Sequence, residues 1–331
     1  MAETEANIEH RREVRAEIRG GTRVTSPFVI LNSLAAVIAA YGLLQNSAAT
    51  VIGSVVLAQE LGPIMGISLA LNDGDLKLLR RSFAAEAIGM GLVLGIAFLI
   101  GSMNRSIPFG AEVLSRTSPT ILDLVIAFAA GAAGAYAATS SRISGTLVGV
   151  AITTSLLPPL AASGLLLARG EERLALGAAL LFITNLVAIQ LAAALVLLIR
   201  GYHQRLDDPD DRTSLFGRNA VSLVLTLGLG LFLFFNFRAA LEEQNFKRGV
   251  AAEIRKQLQQ YAGTYLNAVR ITPASGKQIV YADIQTPVSI DPVRVTAMES
   301  VLPQLRGDKT ELHVRSLLIK EATNSKYLHE E

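Results

Sequence analysis

The sequence predicts an α-helical polytopic membrane protein, with about seven transmembrane helices and a small α/β soluble domain at its C-terminal end. Of its 331 residues, 51% are hydrophobic and only 18% are charged, and the mean hydropathy is +0.42. Apolar runs of about 20 residues, the length that a helix needs to cross a bilayer, recur through the first two thirds of the chain. Together these values exclude an ordinary soluble protein.

The predicted spans are apolar runs whose ends carry charged residues, glycine or proline. They cover residues 28–44, 48–71, 83–101, 121–139, 147–168, 174–199 and 219–237. The segment 1–25 is polar and rich in arginine, which predicts a cytosolic amphipathic helix instead of a cleaved signal peptide. Residues 26–202 then form the transmembrane domain, 203–218 a cytosolic linker, 219–238 a seventh transmembrane helix and 239–331 an extracytoplasmic α/β domain.

The distribution of Lys and Arg predicts the orientation. With the N-terminus inside, the cytosolic segments carry about twice as many of these residues as the outer ones. We therefore expect a multi-pass protein of a prokaryotic cytoplasmic membrane, with a cytosolic N-terminus and the C-terminal domain outside.

The composition also excludes several classes of binding site and of catalysis. A formal charge of +2 and 6% aromatic residues give no basic nucleic-acid surface. There is no cysteine, and the four histidines share no ligand spacing. No nucleophile, base and orienting group come together in the sequence. We expect no catalytic residues, no metal site, no cofactor and no nucleic-acid partner, so the protein is not expected to be an enzyme.

Two segments of the transmembrane domain resemble each other, at residues 26–102 and 118–200. Gly53, Pro63 and Gly74 pair with Gly149, Pro159 and Gly170 at a constant offset. Each segment contains three spans, and an odd number of spans inverts the second copy relative to the first. The sequence thus predicts a 3+3 inverted repeat of the kind found in secondary transporters, whose sites lie near the bilayer midplane.

Prolines interrupt both copies at matching places, in spans two and five. Because proline lacks an amide hydrogen, each motif predicts a broken helix with free carbonyls that face protein, water or an ion. The alternative is a packing kink that neighbouring helices rescue. The predicted substrate- or ion-binding residues lie at these breaks and on span six: Gln59, Glu60, Gly62, Pro63, Thr153, Thr154, Ser155, Pro158, Pro159 and Asn185.

Acidic residues at membrane depth give a second signal. Glu60 lies at the first break, and no base lies at comparable depth, so it is either a protonated structural acid or a binding group for a cation or proton. The secondary candidates for the binding site are Glu86, Asp123 and Thr184. The alternative for the two acids is that they face water at the membrane interface and bind nothing. Asn185 has interhelical hydrogen bonding as its alternative.

The chain resembles a family of prokaryotic hydrophobic membrane proteins known as domain of unknown function 389. The resemblance covers about 26–202, and its motifs are Ser26-Pro27-Phe28, Leu61-Gly62-Pro63-Ile64, Gly74-Asp75-Leu76, Leu157-Pro158-Pro159-Leu160 and Thr184-Asn185-Leu186. The family pattern has a small residue and a proline before the Gly-Pro pair, whereas this chain has Ala58-Gln59 followed by Glu60. The resemblance implies the membrane architecture and no activity.

The polar C-terminal segment predicts an αββαβ order. An amphipathic helix reaches about Tyr261, with Val250, Ile254 and Leu258 on one face. Strands follow near 265–272 and 278–286, a second helix starts at Asp291-Pro292, and a third strand covers 311–319. This order resembles small ferredoxin-like or lipid-associated modules and identifies no ligand.

Three functions remain open from the sequence. The first is a transport protein that moves a small ion or solute through a midplane site at the paired breaks. The second is an oligomeric ion channel whose pore is lined by the same breaks. The third is a non-transporting scaffold or sensor that acts through the C-terminal domain. The expected partners are the lipid bilayer, a small ion or solute and further copies of the chain in a homo-oligomer.

Overall fold

The computed structural model describes residues 2–140, 145–202, 215–261, 263–274, 277–288, 290–302, 309–318, 321–322 and 327–328. The chain divides into two compact units, Met1–Phe237 and Arg238–Glu331. The predicted linker 203–218 lies almost wholly outside the described residues, as do the side chains of 215–227 in the predicted seventh span.

The first unit is helical. Its elements are α1 (Ala2–Gly21), α2 (Ser26–Leu44), α3 (Ala48–Val55), α4 (Leu61–Asp73), α5 (Leu76–Met103), α6 (Ala111–Leu114), α7 (Ile121–Ala138), α8 (Gly145–Leu167), α9 (Glu172–Ile199) and the first part of α10 (Leu215–Leu258). Among the described residues, five of these helices are long and apolar enough to cross a membrane: α2, α5, α7, α8 and α9. The seven-span count and the internal repeat therefore stay predictions.

The interruption predicted in span two is confirmed. α3 ends at Val55 and α4 begins at Leu61, so five residues separate two short helices. Pro63 falls in the first turn of α4, where a helix leaves its N–H groups without intrahelical partners and proline is tolerated.

The interruption predicted in span five is wrong. α8 continues as one helix from Gly145 to Leu167 with Pro158 and Pro159 inside it. In a regular helix the N–H of residue 159 would donate to the Ser155 carbonyl. Because proline has no N–H, this carbonyl has no partner within α8. The side-chain amide of Asn185, on α9, donates to the Ser155 carbonyl at 2.9 Å and replaces that partner. The neighbouring helix α9 thus supplies the hydrogen bond that α8 lacks. This is the packing kink that the sequence analysis gave as the alternative to a broken helix.

Polar contacts gather the helix ends at two opposite faces of the helical unit. At one face, α1 contacts the C-terminal ends of α4, α7 and α9 through Arg15–Asp73, His10–Thr139 and Arg11–Gly201. At the other, Asn46 after α2 accepts from the Glu112 N–H at 2.8 Å, and Arg169 after α8 donates to the Asn104 carbonyl at 2.8 Å. Because α2 ends at this second face and α4 at the first, α3 and α4 together connect the two faces.

The predicted N-terminal helix is part of the core. Val14 and Ile18 of α1 are buried against Met65, Leu69 and Leu197 in a cluster that also includes Tyr202. Arg15 and Asp73 form a buried ion pair beside these residues. Arg19 and Asp75 form a second pair at 3.3 Å, in which the Arg19 side chain is 39% exposed.

The second unit has the predicted element order. It contains the end of α10, β1 (Tyr265–Ala274), β2 (Lys277–Thr286), α11 (Pro292–Ser300), β3 (Lys309–Leu318) and the short strands β4 (Glu321–Ala322) and β5 (Tyr327–Leu328). β2 is the central strand, antiparallel to β1 and parallel to β3. The predicted face of the amphipathic helix, Val250, Ile254 and Leu258, packs against one side of this sheet.

The buried ion pair of α1 should contribute more to stability than the exposed one. Removing one partner of a buried pair leaves an uncompensated charge, so we expect Arg15→Ala to lower the free energy of unfolding by about 3–5 kcal/mol. Arg19→Ala should cost less than about 1 kcal/mol. The measurement is equilibrium unfolding of the detergent-solubilised protein. The double variant R15M/D73L removes both charges and should recover most of the loss; a double variant as unstable as R15A would contradict this account.

Candidate functional site

The interrupted helix forms one wall of a cavity of about 480 Å³. The cavity is lined by the end of α1, the start of α2, the end of α7 and the start of α8, together with the break itself. Lining residues include Glu17, Arg23, Gln59, Gly62, Ser140 and Gly149. The break between α3 and α4 is therefore accessible from the α1 face.

The Asn32 side chain binds the backbone of the break. Its side chain is fully buried on α2, and its carbonyl oxygen accepts a hydrogen bond from the Gln59 backbone N–H at 2.9 Å. This contact satisfies a backbone donor that lies outside both helices, and a buried donor without a partner costs about 1–3 kcal/mol. The sequence analysis missed Asn32, although an amide in the otherwise apolar first span was a usable signal.

The helical unit also buries two carboxyl groups. Glu60 follows directly after Gln59 and is 4% exposed, and Glu86 of α5 is also 4% exposed. Because α5 begins at Leu76, Glu86 lies in the third turn of this helix.

Four buried polar atoms around the break have no hydrogen-bond partner among the residues that the structure describes. They are Asn32 Nδ2, Glu60 Oε2, Ser82 Oγ and Glu86 Oε2. Ser82 lies one turn before Glu86 on α5, and Gly89 lies one turn after it, where a Cβ would stand 3.7 Å from Asn32 Nδ2. These four atoms belong to α2, the break and α5, and we call the four residues that carry them the Glu60–Glu86 cluster.

The residues predicted around the second proline motif have local partners. The hydroxyls of Thr153, Thr154 and Thr184 each donate to the carbonyl four residues earlier in their own helix. Ser155 and Asn185 are joined to each other, as described above. None of these bonds reaches the Glu60–Glu86 cluster, and the buried Asn185 Oδ1 has no hydrogen-bond partner among the described residues.

Asp123 also has a structural explanation. It is the third residue of α7 and forms a capping box with Thr120, in which each side chain bonds the backbone of the other. A capping box satisfies orphan N–H groups at a helix start. The interfacial alternative for Asp123 fits this placement.

α1 closes the cavity at the break. The backbones of Gly21, the last residue of α1, and Gly62, in the first turn of α4, are in such close contact that a Cβ at Gly62 would overlap the Gly21 carbonyl. Glycine is needed at position 62 for this approach.

A family model matches the part of the chain that contains the break, and a related protein matches about half of the chain. The model of a domain of unknown function (DUF389) matches residues 55–191. Residues 55–191 are thus similar to the DUF389 family. An uncharacterized protein of the archaeon Methanocaldococcus jannaschii is 32% identical over 163 residues, which are 49% of this chain and 51% of that protein. The chain thus spans about half the length of this relative.

The DUF389 match includes the break, both carboxyl groups and the Asn185–Ser155 contact, and it begins after Asn32 and α1. It confirms the family resemblance seen in the sequence, within these bounds. The family name brings no activity, so the function must be argued from the site.

The Asn185–Ser155 bond should depend on Pro159. We expect Asn185→Leu to lower the free energy of unfolding by about 1–3 kcal/mol, because it leaves a buried carbonyl unpaired. In a Pro159→Ala background the N–H restored at position 159 can donate to the Ser155 carbonyl, so the same change should cost clearly less. A double-mutant cycle in detergent measures this coupling. Equal costs in both backgrounds would show that the bond does not compensate for the proline.

The Gly21–Gly62 contact should control how firmly α1 is held. Gly62→Ala forces α1 to shift, so we expect faster trypsin cleavage at Arg19 or Arg23 in the folded protein. Gly53→Ala is the matched control, because a Cβ there meets no described atom within 4 Å. The time course of N-terminal truncation in detergent reports the difference. The contact would be unimportant if both variants were cleaved at the parental rate.

Proposed function

We propose that the protein is a membrane transport protein that moves a small ion or solute through the break between α3 and α4. The observation that carries the proposal is the Glu60–Glu86 cluster beside an interrupted helix that opens to a cavity of about 480 Å³. Buried carboxyl groups in a membrane segment are costly and commonly mark ion or proton pathways. Non-helical backbone at membrane depth is tolerated where it lines a cavity or contacts protein.

The charge around the cluster favours a cation or proton. Glu60 and Glu86 are acidic, and the buried cation Arg15 is paired with Asp73 instead. Two negative charges in an apolar interior strongly attract a positive partner. An anion at the same place would meet like charge.

The proposal includes an orientation and an assembly. Exposed cations at the α1 face, among them Arg23, Lys77, Arg80 and Arg81, support a cytosolic position for this face under the positive-inside rule. The C-terminal unit would then be extracytoplasmic. Gly91 and Gly95 have open space beside them, which supports close approach of a helix from a second copy in a homo-oligomer.

Flux through purified protein in liposomes tests the transport proposal. Under an imposed potential we compare K⁺, Na⁺, H⁺ and Cl⁻ with the parent protein, Glu60→Gln and Glu86→Gln. Hydrogen bonds to charged groups contribute about 1.5–3 kcal/mol, so each substitution should lower the rate about tenfold or more. Glu172→Gln, an exposed position in the first turn of α9, is the control and should keep the parental rate.

The same measurement separates the alternatives. Saturable flux would favour a carrier, and unitary currents would favour the oligomeric channel. Liposomes that stay impermeable to all four ions would overturn ion transport and leave an uncharged solute or the scaffold function. Equal loss in the Glu172→Gln variant would show that the substitutions act only through folding.

A further inference from the structure

We propose that the cavity at the break binds a small zwitterionic organic molecule, which carries an ammonium group and an acidic group on an apolar body. This inference rests on the proposed function, and it names the class of solute that the same cavity takes. A cation at the Glu60–Glu86 cluster would be a separate occupant, because neither acid is among the described residues that line the cavity.

The size of the cavity is the first argument. Its volume of about 480 Å³ lies within the range of roughly 300–1,000 Å³ that is typical of sites for small organic molecules. An inorganic cation is held directly by oxygen atoms at about 2.0–2.6 Å, so it would fill only a small part of this space. The volume therefore favours an organic molecule over a bare ion.

The walls of the cavity are the second argument. Apolar side chains from several helices line it, among them Ile18 of α1, Phe28 of α2, Met65 of α4 and Val150 of α8. Sites for small molecules are lined mainly by apolar groups, and a few polar groups fix the orientation of the ligand. The apolar walls suit the body of such a ligand.

Two opposite charges in the cavity are the third argument. Glu17 of α1 and Arg23, two residues after α1, both line the cavity and are exposed. Neither has a salt bridge or a hydrogen bond among the described residues. Arg15 and Arg19, which do not line the cavity, are each paired with an aspartate. Glu17 is therefore available to an ammonium group, and Arg23 to a carboxylate or a phosphate.

This pair of charges selects against simpler ligands. An organic cation would be attracted by Glu17 and repelled by Arg23, and an organic anion would be repelled by Glu17. A zwitterion satisfies both side chains, and its net charge is zero, like that of the pair. The ligand can be a free solute such as an amino acid or the headgroup of a zwitterionic lipid, since both present this chemistry.

Equilibrium binding to the whole protein tests the site, in nanodiscs of phosphatidylglycerol, a lipid without an ammonium group. The first probes are leucine, isoamylamine with the ammonium group alone and 4-methylpentanoate with the acid alone. Phenylalanine, 2-phenylethylamine and 3-phenylpropanoate form a second series with a larger body. In at least one series we expect the zwitterion to bind about tenfold or more tightly than either analogue, because it gains a second charged contact.

Two substitutions assign the charges. Glu17→Gln should weaken binding of the zwitterion and of the amine about tenfold and leave the acid unchanged, whereas Arg23→Gln should weaken the zwitterion and the acid and leave the amine unchanged. Glu13→Gln and Arg80→Gln are the matched controls, because both positions are exposed and neither lines the cavity. Equal loss of all three probes in either variant would overturn the charge assignment.

The source of the zwitterion is tested by adding phosphatidylethanolamine to the nanodiscs. Displacement of the amino acid by this lipid would identify the headgroup as the ligand, and unchanged binding would identify the free solute. Binding without counterflow of the labelled amino acid in liposomes would retain the site and contradict the transport function. Ion flux that depends on Glu60, with no zwitterion of either series bound, would overturn this inference and leave the proposed function standing.

Discussion

The structure of the helical unit depends on one constraint: a backbone or side-chain polar group removed from water must find a partner. In an apolar interior an unpaired carbonyl or N–H is expensive. Pro63 and Pro159 each lack the N–H that other residues can donate. The structure accommodates the two prolines in different ways. At Pro63 the helix stops and restarts, and Asn32 binds the Gln59 N–H. At Pro159 the helix continues, and Asn185 binds the Ser155 carbonyl.

Because the two prolines are accommodated differently, the two halves of the helical unit differ in structure. The first has a gap of five residues, of which Gln59 lines a cavity and Glu60 is buried. The second has a closed helix whose hydroxyls bond their own backbone. The polar chemistry available for a ligand is therefore concentrated in the first half, although the sequence distributes its candidates over both.

α1 connects this chemistry to the face on which the helix ends gather. Its apolar side is buried, its Arg15 neutralises Asp73, and its last residue lies against the first turn of α4. The helix that the sequence predicts as an amphipathic segment forms a wall of the cavity. Its contacts join residues far apart in sequence, which is why amphipathicity alone did not predict its position.

The sequence by itself determined the membrane-like helices, the break before Gly62-Pro63, the αββαβ order of the C-terminal unit and the family resemblance. These features follow from local composition: apolar length, a proline that cannot donate, alternating strand residues and an Asp–Pro helix start. Tertiary structure decided that Pro159 leaves α8 intact, that Asn32 supports the break and that Glu60 and Glu86 are both buried. Each of these depends on which side chain a neighbouring helix brings to a given backbone group, and that pairing is set by packing between distant segments and not by local sequence.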